Sequence, residues 1–328
     1  MQAITTINWG IIGCGDVTEI KSGPAFNKVA NSSLVAVMRR NAGKAADYAK
    51  RHHVPRWYSN ADELINDPEV NAIYIATPPS SHEQYALAAI EAGKPVYVEK
   101  PMAINYAAAK NMADAADAAN VKMVVAHYRR QWPLFKKIKE LITEKVIGDT
   151  RLVKLALYKT AYTKEQLANE NLAWRIDPAI SGGGIFHDLA PHQLDILYHL
   201  FGNAKNVTGM ALNQAGIYKA DDMVAGNILF ENGIVFSGAW CFNAYEQSDR
   251  CEIIGSKGKI GFSFFDGGGI ELLTGSTTTI FDFDALQHVQ QPMIEAVTNY
   301  FLGNGPNPCS GYEGSVIMRW MEMIAGGR

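Results

Sequence analysis

Cysteine is scarce in this chain and carries no pattern. Cys14, Cys241, Cys251 and Cys309 stand in no CxxC spacing, so neither a zinc knuckle nor a disulfide framework is indicated. No apolar run approaches the ~18 residues of a membrane span. The stretch Met1-Gln2-Ala3-Ile4-Thr5-Thr6-Ile7 lacks the basic start and long apolar core of a signal peptide, and the chain reads as cytoplasmic. Basic runs are missing too. With a net charge of −3 and only the isolated pairs Arg39-Arg40 and Arg129-Arg130, a nucleic-acid surface is not expected, and such pairs are ordinarily solvated. There are no repeats, low-complexity segments or disordered linkers. What remains is a chain of 328 residues, 48% hydrophobic and 19% charged, which suits a soluble protein of about two domains.

The apolar run Ile7-Asn8-Trp9-Gly10-Ile11-Ile12 ends in Gly13-Cys14-Gly15-Asp16-Val17-Thr18. A lone Gly-x-Gly is weak evidence, but here it closes a strand and opens a helix, the context a dinucleotide site requires. The first glycine permits the tight turn. The second lets backbone N–H groups approach a pyrophosphate at the helix N-terminus. Thr18 holds the third fingerprint position, which predicts a slightly looser helix–strand contact. The next strand, Leu34 to Met38, ends in Arg39-Arg40-Asn41, where an NAD site normally carries an acidic residue for the ribose 2′-hydroxyl. Guanidinium suits phosphate, so the position predicts NADP(H) over NAD(H). The ordinary alternative is a solvent-facing strand end.

Strand and helix patterns go on alternating to Ala126. Ala72 to Ala76 reads as a buried strand leading into the loop Thr77-Pro78-Pro79-Ser80-Ser81-His82, and Pro95 to Val98 delivers Glu99-Lys100-Pro101. Pro101 disfavours a helical Lys100 and keeps it extended at the carboxyl end of its strand, the edge where open α/β sheets bind ligands. His127 follows the next strand at the same edge. This describes a doubly wound parallel sheet over residues 1–126. From Arg151 the strands lengthen and alternate with a period of two, predicting a large, mostly antiparallel, open-faced sheet in an α/β domain over 127–328. Val224, Ile228 and Phe230 are read as lying on its open face, where a second copy would dock.

The segment from Gly182-Gly183-Gly184 to Gly202 reads as a loop, a buried helix starting near His187, and a glycine stop. That start would put Pro191 in the first turn, where its missing N–H does no harm. At roughly 100° per residue, Asp188, His192, Asp195 and His199 share a sector about 60° wide. Three readings stand: a satisfied polar seam, a metal site lacking a defined third ligand, or an acid/base pair lining a pocket.

Together these residues resemble the glucose–fructose oxidoreductase, inositol dehydrogenase and rhizopine-catabolism (GFO/IDH/MocA) family, nearest its 1,5-anhydrofructose reductase and dimeric dihydrodiol dehydrogenase branch. The carriers are Gly13-Cys14-Gly15, Ala76 to His82, Glu99-Lys100-Pro101, Trp174-Arg175-Ile176-Asp177-Pro178, and Gly182-Gly183-Gly184 with Asp188, His192 and Asp195. The resemblance implies an NAD(P)-dependent oxidoreductase acting on a carbohydrate-like substrate, with Lys100, Asp188 and His192 as its catalytic set. It implies that Trp174 and Arg175 reach the cofactor and that Arg40 reads the 2′-phosphate. Arg175, Asp177 and His288 join the catalytic set at the substrate. A homodimer or homotetramer is expected, with no nucleic-acid or membrane partner and no metal. A glycosidase that recycles its cofactor and a nucleotide-sensing regulator are the alternatives.

Overall fold

The computed structural model describes residues 4–327, less the side chains of Glu170 and Asn171. Met1 to Ala3 of the N-terminal stretch lie outside the described residues. The chain forms two compact units, one running to Gln131 and adding Leu286–Met318, the other comprising Trp132–Ala285 and the residues from Arg319 onward. This division differs from a single boundary at 126/127, since a late segment belongs to the first unit.

In the first unit, β1 (Ile7–Ile12), β2 (Ser32–Met38), β3 (Arg56–Tyr58), β4 (Ala72–Ile75), β5 (Val96–Val98) and β6 (Met123–Val125) make one sheet in the order β3-β2-β1-β4-β5-β6. Every pairing in it is parallel. Helices α1 (Asp16–Ile20), α2 (Ala42–Arg51), α3 (Ala61–Ile65), α4 (His82–Glu91) and α5 (Tyr106–Ala118) connect the strands. A parallel sheet flanked by helices buries both strand faces, so β4 is the unbroken apolar run Ala-Ile-Tyr-Ile, all buried. Asn41, Asn60 and Asn105 begin α2, α3 and α5 by accepting backbone N–H groups on their side chains. The strand order reverses between β1 and β4, the crevice where such sheets take ligands.

The second unit opens with α6 (Pro133–Thr143) and β7 (Thr150–Thr160). The short helices α7 (Lys164–Leu167), α8 (Glu170–Ile176) and α9 (Pro178–Ser181) lead to the long α10 (Gly184–Phe201). Then come β8 (Ala204–Leu212), β9 (Met223–Phe230), β10 (Val235–Ala244), β11 (Ser248–Gly255), β12 (Gly258–Phe262), β13 (Ile270–Thr274) and β14 (Thr277–Phe281). The sheet order is β14-β13-β12-β11-β7-β10-β9-β8. β7 and β10 pair in parallel and the other described neighbours are antiparallel, as the alternation predicts. One face of the sheet is covered by α10. Phe186 meets Trp240 edge-on at 5.1 Å, Phe201 meets Phe230 at 5.4 Å, and Trp240 Nε1 donates to Gln193 Oε1 at 2.6 Å.

Two expectations are corrected here. Val224, Ile228 and Phe230 are at most 1% exposed and belong to the face that α10 covers. Alternation shows that a strand has two faces and leaves open which one the helix takes. The open face instead carries Met210, Leu212, Leu229 and Val235, exposed large apolar side chains, around a depression lined by Ala156, Ala225, Ala239, Lys154, Arg250 and Glu252. Second, α10 begins at Gly184, three residues before His187, so Pro191 lies inside the helix. Its ring removes the N–H that would have bonded the His187 carbonyl.

The chain completes the first unit with α11 (Gln291–Phe301) and the opening turns of α12 (Gly311–Ile324). Phe301 packs against Trp9 at 5.6 Å. Arg129 and Arg130, read as a solvated pair, are buried at 6% and 3% exposure. Arg130 Nη1 lies 2.7 Å from Glu313 Oε1 and donates to the Pro308 carbonyl at 3.2 Å, the pairing a buried charge needs.

Candidate functional site

In the first unit, five strand ends bring sequence-distant residues to one edge of the sheet. Gly13 follows β1 with φ +95°, and a Cβ there would sit 2.7 Å from Thr77 Cγ2 and 2.9 Å from the Ala76 carbonyl carbon. Only glycine serves the turn and the close approach together. The turn is pinned by β2, whose last carbonyl, on Met38, accepts from both Gly13 N and Cys14 N at 2.9 and 3.2 Å. A Cβ on Gly15 would meet nothing within 4 Å, leaving space at the start of α1, where Asp16 is exposed and Val17 half-buried. The Cys14 thiol is pushed up to about 11 by burial, so it stays protonated. Arg39 donates from Nη1 to the Cys14 carbonyl at 3.3 Å, while Arg40 is exposed. The glycine turn, its open space and these arginines fit a dinucleotide phosphate.

The loop after β4 holds Ala76, Thr77, Pro78 and Pro79. His82, fully buried at its end, was expected to reach cofactor. Its Nε2 lies 2.7 Å from the Thr77 carbonyl, and its Nδ1 lies 3.1 and 3.2 Å from the Pro101 and Met102 carbonyls. Burial lowers the ring's pKa and these carbonyls act against that shift. The imidazole therefore ties the loop after β4 to the one after β5. That second loop carries Glu99, 5% exposed, and the half-buried Lys100, joined to Pro101 by a cis peptide. His127, 2% exposed, follows β6. His288 also lies in this unit. Its Nδ1 donates to the Ile20 carbonyl at 2.7 Å, and its Nε2 lies 2.7 Å from Lys28 Nζ, so both ring nitrogens have partners.

In the second unit the site is built on α8 and α10. The Arg175 guanidinium lies 4.4 Å from the Trp174 ring centre, and its Nε is 3.4 Å from Asp188 Oδ2. Two of the three glycines are fixed by backbone geometry. Gly182 closes α9 in the left-handed region with φ +91°, and Gly184 has φ +76° with Ala220 so near that a Cβ would come within 2.2 Å of its methyl. On α10, Phe186, Gln193 and Phe201 point to the sheet. At roughly 100° per residue, Asp188, His192, Asp195 and His199 point about the opposite way. His192 is 5% exposed and Asp195 1%. The His192 ring meets the edge of Phe265 at 5.8 Å. His199 Nε2 lies 3.1 Å from Lys139 Nζ near the surface.

Asp177, expected at substrate, caps α9. Its Oδ1 accepts from Ala179 N at 3.1 Å and its carbonyl accepts from Ser181 Oγ at 2.9 Å. The Asp-Pro pair is a cap signature that the sequence carried all along. Two residues had no such signal. Tyr162 and Tyr218 lie 6.4 Å apart. Burial, then the Asp188 charge, raises the pKa of Tyr162, so its phenol remains a donor.

The model of the GFO/IDH/MocA oxidoreductase family, NAD-binding Rossmann fold, matches residues 7–127, and that of the GFO/IDH/MocA C-terminal domain matches residues 135–261. The chain is 47% identical to Oxidoreductase P35 of Formosa agariphila over 98% of each chain. It is 27% identical to 1,5-anhydro-D-fructose reductase of Ensifer adhaerens, over 77% of this chain and 74% of that one. Among solved structures, levoglucosan dehydrogenase in complex with NADH and levoglucosan is similar in fold. Its TM-score is 0.83 at 24% identity, covering 97% of this chain and 96% of that chain. Among the described residues no helix is long and apolar enough to cross a membrane.

Proposed function

The chain belongs to the GFO/IDH/MocA family and is an NAD(P)-dependent oxidoreductase acting on CH–OH groups, and from this premise we propose a more specific reaction. Hydride passes between a nicotinamide and a carbinol or carbonyl carbon of a sugar, anhydro-sugar, polyol or diol, with NADP(H) preferred. The observation that carries this reading is the sheet edge where Gly13–Gly15, Arg39-Arg40, Ala76-Thr77 and Glu99-Lys100 gather at the order reversal. The names of the relatives, an anhydro-sugar reductase and a levoglucosan dehydrogenase, support the substrate class.

The nicotinamide supplies or accepts the hydride when bound. Gly13, Cys14 and Gly15 would hold its pyrophosphate with Asp16 and Val17 at the helix start. Arg40, with Arg39, would hold the adenosine 2′-phosphate. Ala76 to Pro79, His82, Glu99, His127, Trp174 and Arg175 make up the remaining cofactor set. Lys100, a cation, polarises the substrate oxygen. His192 takes or returns the hydroxyl proton. Asp188, one helical turn before His192, orients that imidazole or a neighbouring hydroxyl. Arg175, Asp177 and His288 complete the proposed substrate set.

Monitoring NADPH absorbance against a panel of ketoses, anhydro-sugars, inositols and diols tests the reading. Oxidation of NADPH by the carbonyl members of the panel, or reduction of NADP+ by the hydroxyl members, is expected, and release of the aglycone from an added glycoside with no net absorbance change would replace the reading with a recycling glycosidase. We also propose that two or four copies associate through the open sheet face, given Met210, Leu212, Leu229 and Val235 exposed there. A concentration-independent monomer in sedimentation would reject that. Among the described residues none of the four cysteines forms a disulfide, which supports a cytoplasmic setting.

A further inference from the structure

We propose that Gln290 is a positioning residue for Lys100, acting through the buried carboxylate of Glu99. The inference rests on the reading of Lys100 as the polarising cation and goes beyond it to what holds that lysine in place. Glu99 follows β5 and immediately precedes Lys100, and a carboxylate at its depth is costly unless hydrogen-bonded. Its Oε1 accepts from Tyr74 Oη and from Gln290 Nε2, both at 2.5 Å, and its Oε2 accepts the Lys100 backbone N–H at 3.1 Å. The carboxylate thus clasps the peptide from which the Lys100 side chain springs. Pro101 follows and has no N–H of its own to donate, while the His82 ring lies 3.1 Å from the Pro101 carbonyl, so the Glu99 side chain helps to set where residue 100 leaves the strand.

Gln290 is itself fixed from three directions and is 1% exposed. Its amide oxygen accepts from Tyr97 Oη at 3.2 Å and its backbone N–H donates to the Lys21 carbonyl at 3.2 Å. Because the phenol occupies the amide oxygen, the amide nitrogen is turned to the carboxylate. Burial raises the pKa of Tyr74 and Tyr97 well above the ordinary phenol range, so both remain O–H donors. Their rings stack at 5.0 Å. The geometry calls for one side chain that donates and accepts at once, which an amide does and an apolar isostere does not.

The test compares full-length Gln290→Leu and Gln290→Glu with wild type by kcat, KM, NADPH affinity, pH profile and hydrogen exchange of the segment 96–103. Gln290→Leu is expected to lower kcat roughly 10- to 100-fold, with NADPH affinity within about 3-fold of wild type and faster exchange at Glu99 and Lys100. Gln290→Glu donates to Glu99 only while its carboxyl is protonated. Its kcat is therefore expected near wild type in acid and to fall as pH rises, an ionisation that wild type lacks. Should Gln290→Leu fail to fold, Tyr97→Phe, which removes only the donor to the amide oxygen, takes its place with the same expected losses. A folded Gln290→Leu with wild-type kcat and exchange overturns the proposal, as does a Gln290→Glu profile superimposable on wild type. Exchange does not depend on turnover, so a wild type inert toward the sugar panel would defeat the functional reading while the anchor was still being measured.

Discussion

Arg175 and Asp188 meet at 3.4 Å, Nε to Oδ2, each about a quarter exposed, linking α8 to the first turns of α10. Asp188 thus has a cationic neighbour on its own unit and shares its helix face with His192. A carboxylate held this way orients a neighbour, and its neutral amide still fills the same space. His192→Ala and Lys100→Ala are each expected to lower kcat by ~10²-fold or more while NADPH binding survives. Asp188→Asn should cost less than either. Steady-state kinetics with fluorescence titration of NADPH checks this, and near-wild-type turnover in both alanine variants would end the catalytic assignment.

The two glycines of the β1–α1 turn should respond differently to alanine. Gly13→Ala forces a left-handed φ on a residue with a Cβ and presses it into Ala76 and Thr77, at a cost on the order of 3 kcal/mol. Gly15 has φ −126° and open space around it. Gly15→Ala should therefore melt within about 2 °C of wild type yet bind dinucleotide more weakly. Thermal melts beside nucleotide titrations separate the two effects. Equal melting losses in both variants would contradict the geometry.

Arg39 and Arg40 adjoin in sequence but differ in setting. Arg39 bonds the Cys14 carbonyl and Arg40 is exposed. Arg40→Ala is expected to raise KM for NADPH roughly 10-fold with little change for NADH, since a charge-assisted bond contributes about 1.5–3 kcal/mol. Arg39→Ala should weaken both cofactors, because it loosens the turn itself. A wild type preferring NADH would refute the 2′-phosphate assignment.

His187, on α10 and 6% exposed, has its pKa lowered to about 4 by burial, with a backbone interaction at Gly183 opposing the shift. Above pH 6.5 the ring is neutral in both folded and unfolded chains and its contribution is fully present. As pH falls from 6.5 towards 4, the unfolded chain binds a proton that the folded one refuses, and stability is lost. Over that window His187→Leu should gain on wild type by on the order of 3 kcal/mol. Urea unfolding at several pH values reads this directly, and parallel curves would show that the ring titrates normally.

Much of the candidate site was legible because its signals are local. The strand-turn-helix around Gly13, the absence of an acid after β2, and the strand ending at Glu99-Lys100 each depend on a few consecutive residues. The same holds for the helix carrying Asp188 and His192. The errors share a different origin. Val224, Ile228 and Phe230 alternate correctly but face α10, and Arg130 is a surface residue by composition yet is buried against Glu313.

The amino-acid sequence by itself determined the elements, their order and the chemical groups at the strand ends, because backbone periodicity, turns and caps are written within a few residues of where they act. Tertiary structure alone decided which sheet face α10 covers. It also decided that Gln290 reaches Glu99 across 191 positions of chain. A buried polar group takes whatever partner the folded path brings to it, and no local pattern records that choice.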